Sequence, residues 1–293
     1  MSKTPEMFSP LDSANLQFTQ TTTTPTTEDA PMRRNTFQIS LFAMAVALWS
    51  VYPGTAAAER LQQAIQATQV IDLTHKMHKD MPFWPGGVPF RKIRLVDYEQ
   101  GYRLHKFNMG ENTGTHVDAP SHFIKGKRSI HEIPLADLIV LAVVIDVRDQ
   151  VAKDVDYQLS AADVRDWEAQ HGRIPAGAFV ILNTGWHTRF GDARRYINMD
   201  ANQVMHFPGY GKDSAELLTQ RNVAGIGIDT LSLDHGPSKT FATHTVMLSA
   251  NHYMIENMAN LNALPPTGAT VVIGVLPVRN GSQAQARIFA LLP

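Results

Sequence analysis

The sequence predicts a mixed α/β fold. Three observations carry that expectation: strand-like and helix-like segments alternate after residue 70, one long β-branched run is apolar at nearly every position, and a turn signal joins two apolar segments at the C-terminal end. In chain order, a short helix is expected over residues 59–67 and an apolar strand over 70–73. The segment Met81-Pro82-Phe83-Trp84-Pro85-Gly86-Gly87 follows, and its two prolines and two glycines exclude regular structure. Residues 138–147 form the β-branched run expected of a strand covered on both faces. Ser160-Ala161-Ala162-Asp163 places a capping hydroxyl and an acid at the start of a helix reaching about His171. A strand is expected over 178–182. Asp213-Ser214-Ala215-Glu216 repeats the capping signal for a helix to about Arg221, and 223–228 returns as a strand. Two closing strands, 270–276 and 286–291, are joined through Arg279-Asn280-Gly281, whose Asn-Gly pair suits a tight hairpin turn.

Composition narrows the function. The chain has 293 residues, and its 44% apolar content fills a sizeable core. With 26 basic against 27 acidic residues there is no sequence-wide positive field to draw phosphate backbones or anionic lipid, so nucleic acid is not an expected partner. The absence of cysteine excludes disulfides, thiolate metal sites and cysteine nucleophiles. Twelve histidines leave His, Asp and Glu as the available metal ligands.

The first sixty residues read differently. Residues 1–31 are rich in Thr, Ser and Pro, with the run Thr21-Thr22-Thr23-Thr24-Pro25-Thr26-Thr27, and are expected to be a disordered extension, with Met32 as an alternative start. Residues 32–58 carry Arg33-Arg34, an apolar stretch over 39–52 and Ala56-Ala57-Ala58, the pattern of a cleaved secretory signal peptide. That stretch is about fourteen residues long, short of the roughly twenty that span a bilayer. A periplasmic or secreted location is expected, with no membrane attachment after cleavage. Both the twin-arginine and the Sec route stay open. The remaining residues, 59–293, are expected to form one domain.

The chemistry concentrates in Asn112-Thr113-Gly114-Thr115-His116-Val117-Asp118-Ala119-Pro120-Ser121-His122-Phe123. On an extended strand residues two apart share a face, so His116 and Asp118 point the same way and Asn112 would join them. Pro120 ends the strand, which lets His122 turn back to the same cavity. An imidazole and a carboxylate side by side, with a second imidazole near, are ligands for Zn²⁺, Mn²⁺ or Fe²⁺. From spacing alone, metal binding and a purely structural His–Asp hydrogen bond both stay open.

That segment closely resembles the signature of the cyclase-type metal-dependent hydrolases, the family of kynurenine formamidase and isatin hydrolase, whose core is His-x-Gly-Thr-His-x-Asp-x-Pro-x-His. Residues 81–86 resemble the family's Pro-x-Trp-Pro-Gly loop, Gly227-Ile228-Asp229-Thr230 with Ser232 resembles a later segment, and His244 with Glu256 resembles a distal ligand pair. The resemblance covers roughly residues 70–291. It implies a single-domain fold of the swivelling β/β/α type, a mixed β-sheet core flanked by helices. It further implies His116, Asp118, His244 and Glu256 as metal ligands, Asp118 as a possible bridge, His122 as the catalytic acid/base, and Trp84 beside the substrate. Asn112 stands where the family usually has a histidine ligand. An amide oxygen is a harder, weaker donor, so the site is expected to favour Mn²⁺ over Zn²⁺ or to hold one ion instead of two.

The resemblance therefore implies a divalent-metal hydrolase cleaving a C–N bond of a small aryl or cyclic amide by water activation. Hydrolysis of a lactone or ester is a near variant, and an inactive periplasmic small-molecule-binding relative is a separate reading. A homodimer or homotetramer is implied as well. Other chemistry lacks support: there is no Gly-x-Ser-x-Gly elbow, His131-Glu132 is not followed by the second histidine of a zinc helix, and Gly225-Ile226-Gly227 lacks the third glycine of a dinucleotide loop. Phe83, Trp84, Phe107 and Trp186 could wall a slot for a flat ring, although aromatics of this kind also serve as plain core. For His187, beside Trp186, a place near the site and a structural role both stay open.

Overall fold

The computed structural model describes residues 67–293. The expected extension at 1–31, the signal peptide at 32–58 and residues 59–66 of the first expected helix lie outside the described residues. Twelve strands are described: β1 Gln69–Asp72, β2 Arg91–Val96, β3 Leu104–Asn108, β4 His116–Asp118, β5 Ile139–Asp146, β6 Gln158–Leu159, β7 Phe179–Asn183, β8 Gly209–Tyr210, β9 Gly225–Ile228, β10 Tyr253–Glu256, β11 Thr270–Val275 and β12 Gln283–Leu292. The helices are α1 Arg148–Val151, α2 Ala161–His171, α3 Ala193–Ile197, α4 Lys212–Gln220 and α5 Ala242–Ser249. The mixed α/β class is as the sequence predicts.

Eight strands form one sheet in the order β1-β12-β11-β5-β7-β9-β10-β4. Its centre, β5-β7-β9-β10, is parallel, and these strands are apolar on both faces because both are covered. Alternation divides their side chains between two cores. Val143, Ile145, Val180 and Leu182 pack with Trp167 of α2 and Leu217 and Leu218 of α4. Ala142, Val144, Phe179 and Ile181 pack with Ile71, Val117 and Ile288 on the other side. The long β12 is used twice: residues 286–291 pair with β11, and Gln283, Ala284 and Gln285 pair with Asp118, Val117 and His116 of β4. Since β4 also pairs with β10, the hydrogen bonding runs round a closed circuit of seven strands. That closure holds β4 between two strands from the far C-terminal part of the chain.

Several local expectations shift. Ser160 caps α2 through the capping box anticipated with Asp163. The second capping signal works differently: Gly211 is the N-cap of α4, while Asp213 lies inside the helix and accepts from Ala161 N at 2.9 Å, tying α4 to the start of α2. The hairpin before β12 forms, but Gly281 N donates to Val278 O at 3.0 Å and only Asn280 has positive φ, at 59°. A single left-handed residue at the third position is a type II-like turn, one residue earlier than a two-residue Asn-Gly loop. The hairpin β2-β3, strand β10 and helix α5 had no sequence signal. For α5 the reason is visible: its N-cap is Phe241, which supplies no capping side chain.

His75, just after β1, stacks on Phe190 with ring centroids 3.7 Å apart, and its Nε2 is buried without a hydrogen-bond partner. Burial first, and then the charge of His187, lower its pKa to about 4. The unfolded chain binds this proton near pH 6.5 and the folded chain does not, so stability is full above pH 6.5 and declines as pH falls to about 4. The decline amounts to about 3 kcal/mol. Denaturant melts from pH 7.5 to 4.5 should show a slope for the wild type that is flatter in His75→Gln. An identical slope would mean that this ring ionises freely in the fold.

Candidate metal centre

His116 and Asp118, two apart on β4, face the same way as period-two alternation requires, and both are fully buried. Their partners come through register. Glu256 of β10 lies opposite His116, and Gln283 of β12 lies opposite Asp118. His244 enters from α5. His116 Nε2 is 3.2 Å from Asp118 Oδ1 and 3.4 Å from Glu256 Oε2, and His244 Nε2 is 3.3 Å from Glu256 Oε1 and 3.5 Å from Asp118 Oδ2. His116, Asp118 and Glu256 thus form one triad of candidate ligand atoms. His122, on the short helical turn after Pro120, completes a second triad with Asp118 and His244, and within each triad the ligand atoms lie within 4.8 Å of one another.

Each imidazole is oriented from behind. His116 Nδ1 donates to Gly114 O at 2.8 Å, and His244 Nδ1 donates to Asp234 Oδ2 at 2.6 Å, which turns both Nε2 atoms toward the cluster. Asp234 also accepts from Thr243 N and His244 N at the start of α5. Gln283 Nε2 donates to Asp118 Oδ1 at 2.7 Å, whereas Asp118 Oδ2 is buried with no hydrogen-bond partner. An unsatisfied buried carboxylate oxygen is costly in the absence of a cation. The donor set, two imidazole nitrogens and two carboxylates with a third imidazole beside them, fits a divalent metal ion.

The charges agree with that fit. Burial opposes ionisation of Asp118, but His116 and then His244 outweigh it and hold the carboxyl well below its usual range. Burial, and then the nearness of Asp118, push Glu256 up. Burial alone would lower His116, yet Asp118 first and Glu256 next raise it to about 9. His122 goes the other way: burial pushes its imidazole down, so it is neutral at pH 7 and able to take a proton.

A cavity of about 190 Å³ opens over the cluster. Trp84, His122, His244, Glu256 and also Asn112 reach its wall. Asn112 arrives by a turn after Gly110, because β4 begins only at His116 and strand alternation does not extend back to it. Phe83 is half-buried and off this wall. Trp186 does not come to the cavity either: it is a core residue, 1% exposed, donating Nε1 to Tyr196 O at 2.8 Å, because the strand it follows dives between the two cores. Phe107 lies on the exposed hairpin against Phe90, and His187 donates Nδ1 to Asp229 Oδ2 at 2.9 Å away from the wall. Sequence reasoning missed Gln283, Asp234, Phe123, Leu231 and Phe241. Gln283 and Gln285, two apart on one face, were a readable signal for an earlier start to β12.

With this geometry in view, the comparisons with known proteins decide the family: the cyclase family model matches residues 71–235. The chain belongs to the cyclase family. It is 33% identical over 211 residues to an isatin hydrolase of Roseibium aggregatum, covering 68% of this chain and 80% of that relative. It is 24% identical over 196 residues to a kynurenine formamidase of Bacillus cytotoxicus, covering 66% of this chain and 84% of that protein. A solved isatin hydrolase bound to the product analogue thioisatinate superposes with a TM-score of 0.75 at 26% identity, over 87% of this chain and all (100%) of that one. As a member of this family the chain is a metal-dependent hydrolase.

Asp234 lies outside the two candidate triads and orients one of their members. Replacing Asp234 by Ala removes the group that fixes the tautomer and direction of His244, and metal affinity should fall about 10–100-fold, read by chelator competition. Unchanged affinity would show that α5 alone aims the ring.

Proposed function

We propose that this cyclase-family hydrolase cleaves the C–N bond of a small aryl or cyclic amide, with Mn²⁺ or Zn²⁺ held by His116, Asp118, His244 and Glu256. The observation that carries this reading is the linked contacts of those four side chains, with Asp118 shared by both candidate triads and its Oδ2 buried without a hydrogen-bond partner. The relatives support the substrate class, since isatin is an aromatic cyclic amide and kynurenine formamidase acts on an aryl formamide. What a bound divalent cation supplies is Lewis acidity, which polarises a carbonyl and lowers the pKa of water from about 15.7 toward about 7. The rest belongs to the chain. Neutral His122 takes the proton of the attacking water and returns it to the leaving nitrogen. Gln283 keeps Asp118 from rotating, Trp84 and Phe241 line the space for a flat ring, and Asn112 supplies an amide where imidazole is the commoner donor.

Metal analysis and turnover test this directly. Protein purified from Mn- or Zn-supplemented medium should hold about one equivalent per chain and hydrolyse N-formylaryl amines or isatin-like amides, and chelation should abolish that activity. Turnover of lactones but not amides would move the reaction to an ester bond. Metal-free protein that binds ligand without turnover would make the chain a binding relative. The reading includes export through residues 32–58, tested by fractionation of the native host, and assembly as a dimer or tetramer, tested by light scattering.

A further inference from the structure

Among the described residues, eight other than glycine adopt positive φ, and six of them are asparagine, whose short amide suits the left-handed region. Phe241 is the aromatic exception, at φ 47° and ψ 50°. A bulky ring in that region is a backbone outlier, and it persists only where the surroundings over-determine it. They do so here. Phe241 N donates to Ser238 Oγ at 3.3 Å, and Phe241 O accepts from Thr245 N and Thr245 Oγ1, both at 3.0 Å. The first turn of α5 is capped from outside, by Asp234 on Thr243 N and His244 N, so no capping duty holds an aromatic residue at this position. Local physical chemistry would place asparagine here.

The ring's position supplies a reason. It is half-buried on the wall of the metal-centre cavity, with centroid distances of 6.1 Å to Trp84, 5.8 Å to Phe123 and 5.7 Å to His244. Three aromatic residues from three separate segments thus line one side of the cavity, and Phe241 alone touches the other two and a proposed ligand.

We infer that Phe241 is a specificity-determining residue, held in a left-handed backbone so that its ring selects planar aromatic substrates over aliphatic ones. The inference rests on the amide-hydrolase reading and names the side chain that sets its substrate class. Face and edge contacts between aromatic rings favour a flat aromatic ligand beyond what buried area alone provides, by up to about tenfold.

The test uses the metal-loaded protein and the variants Phe241→Asn and Phe241→Tyr. Asparagine suits the left-handed backbone while deleting the ring. It should keep or raise Tm, retain the metal, lower the isatin-over-succinimide ratio of kcat/KM about tenfold, and weaken thioisatinate binding, followed by tryptophan fluorescence, by a similar factor. Tyrosine should restore both. A lower Tm in Phe241→Asn with an unchanged ratio would make the ring a packing element and overturn the inference. If the wild type holds metal yet hydrolyses neither amide, the hydrolase reading falls by itself. Thioisatinate affinity then decides on Phe241: weakened binding in the Asn variant sustains its role, and unchanged binding ends it.

Discussion

Asp118→Asn is expected to empty the metal centre and abolish turnover. The substitution keeps the shape of the side chain, and its oxygen can still accept from Gln283, so the β4–β12 junction survives. What disappears is the one carboxylate that belongs to both triads. Loss of a ligand should exceed the 10–100-fold cost of losing an outer partner. Lewis-acid stabilisation is worth several kcal/mol, so turnover should fall by at least about 10³-fold. A second reading comes from linkage: added Mn²⁺ should raise the Tm of the wild type and leave that of the variant where it was. Full metal occupancy in the folded variant would remove Asp118 from the ligand set.

His122→Ala should separate proton transfer from metal binding. The imidazole is half-buried at the cavity wall, its burial keeps it neutral, and it belongs to one triad only. As a general base its loss should cost about 10²–10⁴ in kcat while the metal stays at the wild-type level. Added imidazole should recover part of the lost rate by entering the space left open. Loss of metal together with loss of rate would make His122 a ligand instead of a base.

The parts of the fold legible in the sequence are those in which short-range physics dominates. The run that became β5 is strand-like because β-branched residues are stiff at χ1 and suit a covered sheet, and α2 starts at Ser160 because a capping box satisfies the first free N–H groups of a helix. Strand β10, helix α5 and the hairpin β2-β3 were not legible. Strand β10 is four buried residues without alternation, and α5 begins on a residue that local preference disfavours. Trp186 shows the converse limit. Its neighbourhood in sequence suggested a wall of the site, but whether an aromatic ring lines a cavity or fills a core depends on what packs against it from elsewhere.

By itself the sequence determined the α/β class and the shared direction of His116 and Asp118, because an extended chain repeats every two residues whatever surrounds it. A reading of the chain can nominate His244 and Glu256 as distant partners only through resemblance. Their distances, the pairing of Gln283 with Asp118, the hold of Asp234 on His244 and the approach of Phe241 to Trp84 were decided by the tertiary structure. The reason is register. Glu256 faces His116 across about 140 residues only because β4 is clamped between β10 and β12 when the circuit of strands closes, and a slip of one residue would turn either side chain to the opposite face.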